Sequence, residues 1–143
     1  MNLVTAQDLS NELNVANGAA VPGDPVVEVT FTVPADGKVL VHVAGHLSIY
    51  YLADGAEYEE DSIPGVFLGA QVYAAAAAPG GTRQGISWHA TREYDAARLG
   101  DAIPVTGLTP GDFYKARLAH WGEFLPAGAV GKVRRRRITV LLG

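Results

Sequence analysis

From Val27 to Val33 apolar and polar residues alternate without a break, with Val27, Val29, Phe31 and Val33 set against Glu28, Thr30 and Thr32. A period of two places one set on each face of an extended strand, and a helix would scatter the apolar set around its circumference. The pattern returns at Val39, Val41 and Val43, at Ile86, Trp88 and Ala90, and at Tyr114, Ala116 and Leu118. Turn-formers separate these runs: Pro34-Ala35-Asp36-Gly37, Asp54-Gly55, Pro64-Gly65, Pro79-Gly80-Gly81 and Gly107-Leu108-Thr109-Pro110-Gly111. Roughly eight strands with turn signals every ~8–12 residues describe a sandwich, barrel or jelly roll. The expectation is an all-β domain, a jelly roll or β-sandwich, with the first two runs joined as a hairpin through Pro34–Gly37. Strands do not alternate with long helical patterns, which argues against an α/β fold, and no segment repeats.

At 143 residues the chain fits one domain. Cysteine is absent, so disulfides and thiolate metal sites are closed routes. No stretch approaches the ~20 apolar residues of a membrane span; the run Ala74–Ala78 is cut short by Pro79. The N-terminus lacks the basic segment and apolar run of a signal peptide, so synthesis in the cytoplasm without export is expected, and no membrane partner. The net charge of −4 hides an asymmetry. Residues 1–70 hold ten Asp/Glu and one Lys, a balance of −9, while residues 71–143 hold ten Lys/Arg and five Asp/Glu, a balance of +5. Such halves can interleave within a domain or meet across subunits.

Residues 1–24 differ from the rest. Thr5-Ala6-Gln7-Asp8 has the spacing of a capping box, and Leu9, Leu13 and Ala16 fall on one side of a short helix that Asn17-Gly18 would stop. Pro22-Gly23-Asp24-Pro25 reads as a linker. The domain organisation expected is an N-terminal attachment arm over 1–24, with Leu3, Val4, Leu9 and Leu13 as its contacts, and a β domain over 25–143.

Candidate chemistry is sparse. His42 and His46 on one strand are about 13 Å apart along it, and no third ligand sits at a recognisable spacing, so surface histidines are favoured over a metal site. Glu57, Glu59, Glu60 and Asp61 crowd one loop, where solvated carboxylates lack the divergent environments that acid–base catalysis needs. No nucleophile elbow, phosphate-binding loop or dinucleotide fingerprint is present. No enzyme activity and no cofactor are expected. Arg134-Arg135-Arg136-Arg137 leads directly into Ile138-Thr139-Val140-Leu141-Leu142, so it belongs to a strand, with Arg134 and Arg136 expected on one face and Arg135 and Arg137 on the other. A strand charged on both faces should project beyond the core, guard an edge or meet carboxylates. Contact with another protein chain is favoured over a solvated rim, and both over nucleic acid. The first candidate complement is the loop holding Glu57, Glu59, Glu60 and Asp61. Trp88 and Trp121 are expected in or beside the core.

Two resemblances add to this. Gly107-Leu108-Thr109-Pro110-Gly111-Asp112-Phe113-Tyr114 resembles the turn before a Tyr-bearing strand in fibronectin type III domains, which implies a buried corner role for the Tyr114 hydroxyl. Val33-Pro34-Ala35-Asp36-Gly37, the Gly-Leu-Thr-Pro-Gly turn and the terminal Arg-Arg-Ile-Thr-Val-Leu strand together resemble small bacteriophage virion proteins. These are head-fibre or capsid decoration proteins and tail-fibre tips, with a jelly roll of tumour-necrosis-factor type. The resemblance implies a virion location and a homotrimer bound to a capsid or other virion protein through its N-terminal arm. Its alternative is a tail-fibre tip or carbohydrate- or receptor-binding module with a glycan partner.

Overall fold

The computed structural model describes residues 2–53, 58–90 and 93–143. Eight strands account for most of it: β1 (Asn2–Val15), β2 (Glu28–Thr32), β3 (Val39–Tyr50), β4 (Gly65–Ala74), β5 (Arg83–His89), β6 (Tyr94–Val105), β7 (Phe113–Glu123) and β8 (Val130–Leu142). The pairing is nested, with β1 on β8, β2 on β7, β3 on β6 and β4 on β5, every pair antiparallel. Additional pairings of β3 with β8 and β4 with β7 close two four-stranded sheets. The first sheet runs β1-β8-β3-β6 and the second β2-β7-β4-β5. A ribbon folded in half and rolled over itself in this order is a jelly roll, the expected fold class.

Each strand turns its apolar set inward. Val41, Val43, Leu47 and Ile49 of β3 and Val133, Ile138 and Val140 of β8 meet Val66 and Leu68 of β4 and Leu118 of β7, all of them removed from solvent. At roughly 1.5–3 kcal/mol for each fully buried aliphatic side chain, this layer is the main stabilising contact between the sheets.

The hairpin expected at Pro34–Gly37 is instead a corner. β2 pairs with β7 in the second sheet, whereas β3 lies between β8 and β6 in the first. The amide of Gly37 donates to Pro34 O, and Leu108 N donates to Gly37 O at 3.1 Å. Gly37 has φ +69°, and a Cβ there would stand 2.6 Å from Leu108 O, so only glycine lets the two crossing loops touch. Alternation reports that a strand has one buried face; it does not report which strand lies beside it.

The helix expected after Thr5 is a strand. β1 pairs with β8 over Asn2–Asp8 and again over Glu12–Val15, with a bulge between. Asp8 does capture nearby amides, as a capping residue would, accepting hydrogens from Ser10 N and Asn11 N, each at 3.2 Å. Here that capture folds the bulge and starts no helix. The connection that follows seals the exposed half of β7. Gly122 N donates to Ala16 O, His120 and Val21 exchange both backbone bonds, and Leu118 N donates to Val27 O.

Candidate interaction face

The outward surface of the first sheet is set by register. Leu3, Leu141, Leu40 and Pro104 form a row across the four strands, and Thr5, Thr139, His42 and Ala102 form the next. Gln7, Arg137, Ala44 and Gly100 follow, and then Glu12, Arg134, His46 and Arg98. The face is therefore apolar at one end and basic in the middle. Leu3 and Leu9 are more than half exposed, at 58% and 54%, and Leu40 is 37% exposed. Beyond the basic rows Tyr50, Tyr51 and Tyr94 gather, their ring centroids 5.7–6.4 Å apart.

A bulge in β8 determines where the four arginines point. Ala44 pairs with Arg137 and His46 with Arg134, so two steps on β3 match three on β8. The extra residue is accommodated at Arg135, which has φ +52°, a left-handed conformation that costs a non-glycine residue about 1–3 kcal/mol. One added residue reverses the facing of all that follow. Arg135 and Arg137 are exposed, Arg134 is partly so, and Arg136 turns into the core with no exposed surface. The expected facing, with Arg134 and Arg136 together, is thus corrected by this one residue.

Arg136 lies in the interior because acceptors were brought to it. Its Nη2 donates to Asp8 Oδ2 at 3.0 Å and to Pro25 O at 2.8 Å, and its Nη1 donates to Pro22 O at 3.3 Å. Burial pushes the Asp8 carboxyl up, but hydrogen bonds from Asn11, Arg136 and the Ser10 and Asn11 amides outweigh it and hold the group below its usual range. His120 of β7 faces the same centre, and burial, with the Arg136 charge beside it, lowers its pKa from 6.5 to about 4. Among the described residues Arg136 Nε and His120 Nδ1 are buried without a partner.

Outside, Glu12 is the carboxylate of the basic rows. Lys132 Nζ approaches it at 2.7 Å and Arg134 Nη1 at 3.9 Å. Arg134 Nε also donates to His46 Nδ1 at 2.7 Å. Partial burial and the neighbouring Arg134, Arg98 and Arg135 charges depress the His46 pKa, and because Nδ1 accepts from Arg134 the ring carries its proton on Nε2. Among the described residues, Arg98, Arg135 and Arg137 have no carboxylate within 4 Å.

No family model and no curated protein matches the chain. A solved structure of infectious bursal disease virus, Gx strain, is 13% identical with a TM-score of 0.47, and the Gt strain is 13% identical with a TM-score of 0.43. Each alignment covers 99% of this chain, which spans only 32% of the length of those virus chains. An Eiger TNF from S. frugiperda is 14% identical over 99% of this chain and 92% of its own, with a TM-score of 0.41. The jelly-roll assignment stands on the nested strand pairing itself.

The residues expected to act fall into several places. Leu3 and Leu9 lie exposed on this face, whereas Val4 and Leu13 are packed against the core. Glu59, Glu60 and Asp61 sit at the 3₁₀ turn Glu60–Ser62 before β4, where Glu60 and Asp61 border a cleft with His89, Glu123 and Phe124. Glu57 lies outside the described residues. His42 and His46 share the outer face of the first sheet, His120 is interior, and His89 stands edge-on to Phe67 at 5.3 Å. Among the described residues no three His, Asp or Glu groups could hold a metal ion, and no helix is long and apolar enough to cross a membrane. Trp88 packs against the core, and Trp121 stacks on Phe67 at 5.1 Å.

Sequence reasoning missed Glu12 and Arg98, and it read Asp8 as a helix cap and His46 as a surface histidine without their arginine partners. Asp8 and Glu12 oppose Arg136 and Arg134 in the β1–β8 register, a complement that becomes visible only once those two strands are paired.

Proposed function

We propose that the protein is a structural component of a virus particle that works by association through the outer face of the β1-β8-β3-β6 sheet. The observation that carries this reading is the combination on one rigid face of exposed Leu3, Leu9 and Leu40 with three arginines lacking carboxylate partners among the described residues. Apolar anchors beside unpaired arginines are the composition of a protein-binding surface, since arginine and large apolar groups gain most when a partner removes water. Jelly rolls recur in capsid proteins and in lectins, and the resemblance to phage virion proteins favours the former.

The finer form of the proposal is a homotrimeric capsid decoration protein. Leu3 and Leu9 would make capsid contacts from β1, and Arg135 and Arg137 would meet carboxylates of a neighbouring copy, with Glu59, Glu60 and Asp61 as candidates. Sedimentation equilibrium tests it: a trimer is expected, and a monomer at every concentration would exclude the assembly reading. A second reading is a receptor- or glycan-binding tip. It draws on exposed Tyr51 and Tyr94, gathered beside the half-buried Tyr50, since large aromatic faces with polar rims suit sugar rings. Binding in a glycan screen that Tyr51→Ala and Tyr94→Ala abolish would favour it.

A further inference from the structure

Where the β8 bulge faces β3, the outer surface of the first sheet sinks into a cleft of ≈330 Å³, at the lower end of the ~300–1,000 Å³ range of small-ligand sites. Arg98, Arg135 and Arg137 line it together with His46, and Leu9 and Leu99 supply an apolar wall. Its depth has a local cause. Gly45 and Ala44 lie under it, and β8 spends an additional residue at Arg135 in a left-handed conformation. A non-glycine residue in a left-handed conformation thus lines a concave surface of a single charge sign.

Among the described residues no carboxylate compensates the charge around the cleft. Glu12 is engaged by Lys132 and Arg134, and on β6 the Asp95 and Asp101 side chains accept hydrogens from their neighbouring amides at Ala96 and Ala102. None of these carboxylates comes within 4 Å of Arg98, Arg135 or Arg137. His46 gives its Nδ1 to Arg134, which leaves Nε2–H as a neutral donor at the same wall. Three guanidinium groups and a ring N–H, with no acceptor of their own among the described residues, offer donors only.

We propose that this cleft is an oxyanion-binding site. It takes a carboxylate, sulfate or phosphate group carried on a compact body whose apolar side lies against Leu9 and Leu99. Guanidinium forks grip such groups with paired hydrogen bonds, and their placement on two different strands holds the anion between β8 and β6. The oxyanion has two possible sources. A free solute would make the cleft a ligand site in its own right. A carboxylate from Glu60 or Asp61 of a second copy would make it the socket of the proposed association, and only that source rests on the association reading.

The test follows the arginine Nε–Hε signals of the full-length protein by NMR at low protein concentration. Sodium sulfate is titrated against sodium chloride at matched ionic strength. The expected result is a saturable shift of Arg98, Arg135 and Arg137 with sulfate that chloride does not reproduce. Arg98→Ala/Arg135→Ala should weaken sulfate binding roughly tenfold or more, since two charge-assisted contacts are lost. Both substituted side chains are exposed, and unchanged amide spectra elsewhere would verify the fold. Protein concentration is then raised without sulfate. Arginine shifts that appear in the wild type and vanish in Glu60→Gln/Asp61→Asn identify a second copy as the source; shifts produced by sulfate alone identify a free solute. A monomer that still binds sulfate would end the association reading and leave this one standing. Shifts that are linear in ionic strength, equal for sulfate and chloride, and unaltered at Arg137 by the double substitution would overturn it.

Discussion

The two outer faces of the sandwich are built from the same alternation and finished differently. On the second sheet the β7 cations are paired. Lys115 Nζ lies 3.7 Å from Glu28 Oε1, and Arg117 Nε donates to Gln71 Oε1 at 2.7 Å while its guanidinium lies over the Tyr73 ring. Phe67 is covered by Trp121 and His89. On the first sheet Arg98, Arg135 and Arg137 stand without carboxylates among the described residues, and Leu3 and Leu9 are open to water. Phe113, 65% exposed, is the main apolar opening on the second face. A face whose polar groups satisfy one another has little left to offer, whereas the unsatisfied face gains from whatever covers it.

The sharpest way to break this contrast is from inside. Asp8 holds β1 against Arg136, and without β1 the first face loses its outer strand. Asp8→Ala leaves a buried guanidinium without its counter-charge and should cost about 3–5 kcal/mol, measured by urea unfolding. Truncation should act through the same contact: removing residues 2–15 should lower the melting temperature strongly, because β1 is paired along β8. A truncated chain with an unchanged melting transition would show that the first face does not depend on β1.

Acid should weaken the same centre. His120 is neutral when folded, with its pKa lowered to about 4 from 6.5. The stabilisation from keeping it neutral is complete above the unfolded value and is lost as pH falls from about 6.5 toward 4, amounting to about 3 kcal/mol. The depressed Asp8 carboxyl adds a further loss below the usual carboxylate range, as it too is protonated. Urea midpoints across this window should fall with pH for the wild type and flatten between 6.5 and 4 in His120→Gln.

Surface changes should separate the faces more gently. Arg135→Ala/Arg137→Ala should weaken association by about 1–2 kcal/mol in light scattering and reduce its salt sensitivity, since exposed charges are screened beyond ~8 Å. Lys115→Ala/Arg117→Ala, on the other face, should leave the mass and its salt response as in the wild type. The smallest effect is expected at Tyr114. Its ring packs 6.3 Å from Phe31, and among the described residues its hydroxyl has no hydrogen-bond partner, contrary to the corner role that the fibronectin resemblance implied. Tyr114→Phe should change stability by less than about 0.5 kcal/mol.

What could be read from the sequence follows from how regular each strand is. β2 and β7 keep an unbroken period of two, so Val29, Phe31, Ala116 and Leu118 were assignable to the core from their spacing. β1 was not, because it lies at a sheet edge with most positions exposed, and its bulge after Asp8 interrupts the period. The arginine run was placed in a strand correctly but faced wrongly beyond Arg134, since the single bulged Arg135 exchanges the two sides. Partners across sheets, such as Arg98 beside Arg135, are fixed by register, and one strand's pattern holds no record of its neighbour's.

The central claim is that the first face, and not the second, carries association. Sedimentation equilibrium of three proteins tests it most directly: the wild type, Arg135→Glu/Arg137→Glu on the first face, and Phe113→Asp on the second. A trimeric wild type, a folded monomer for the first-face variant and a trimer for Phe113→Asp are predicted. A first-face variant that remains trimeric, or a Phe113→Asp variant that alone becomes monomeric, would contradict the account.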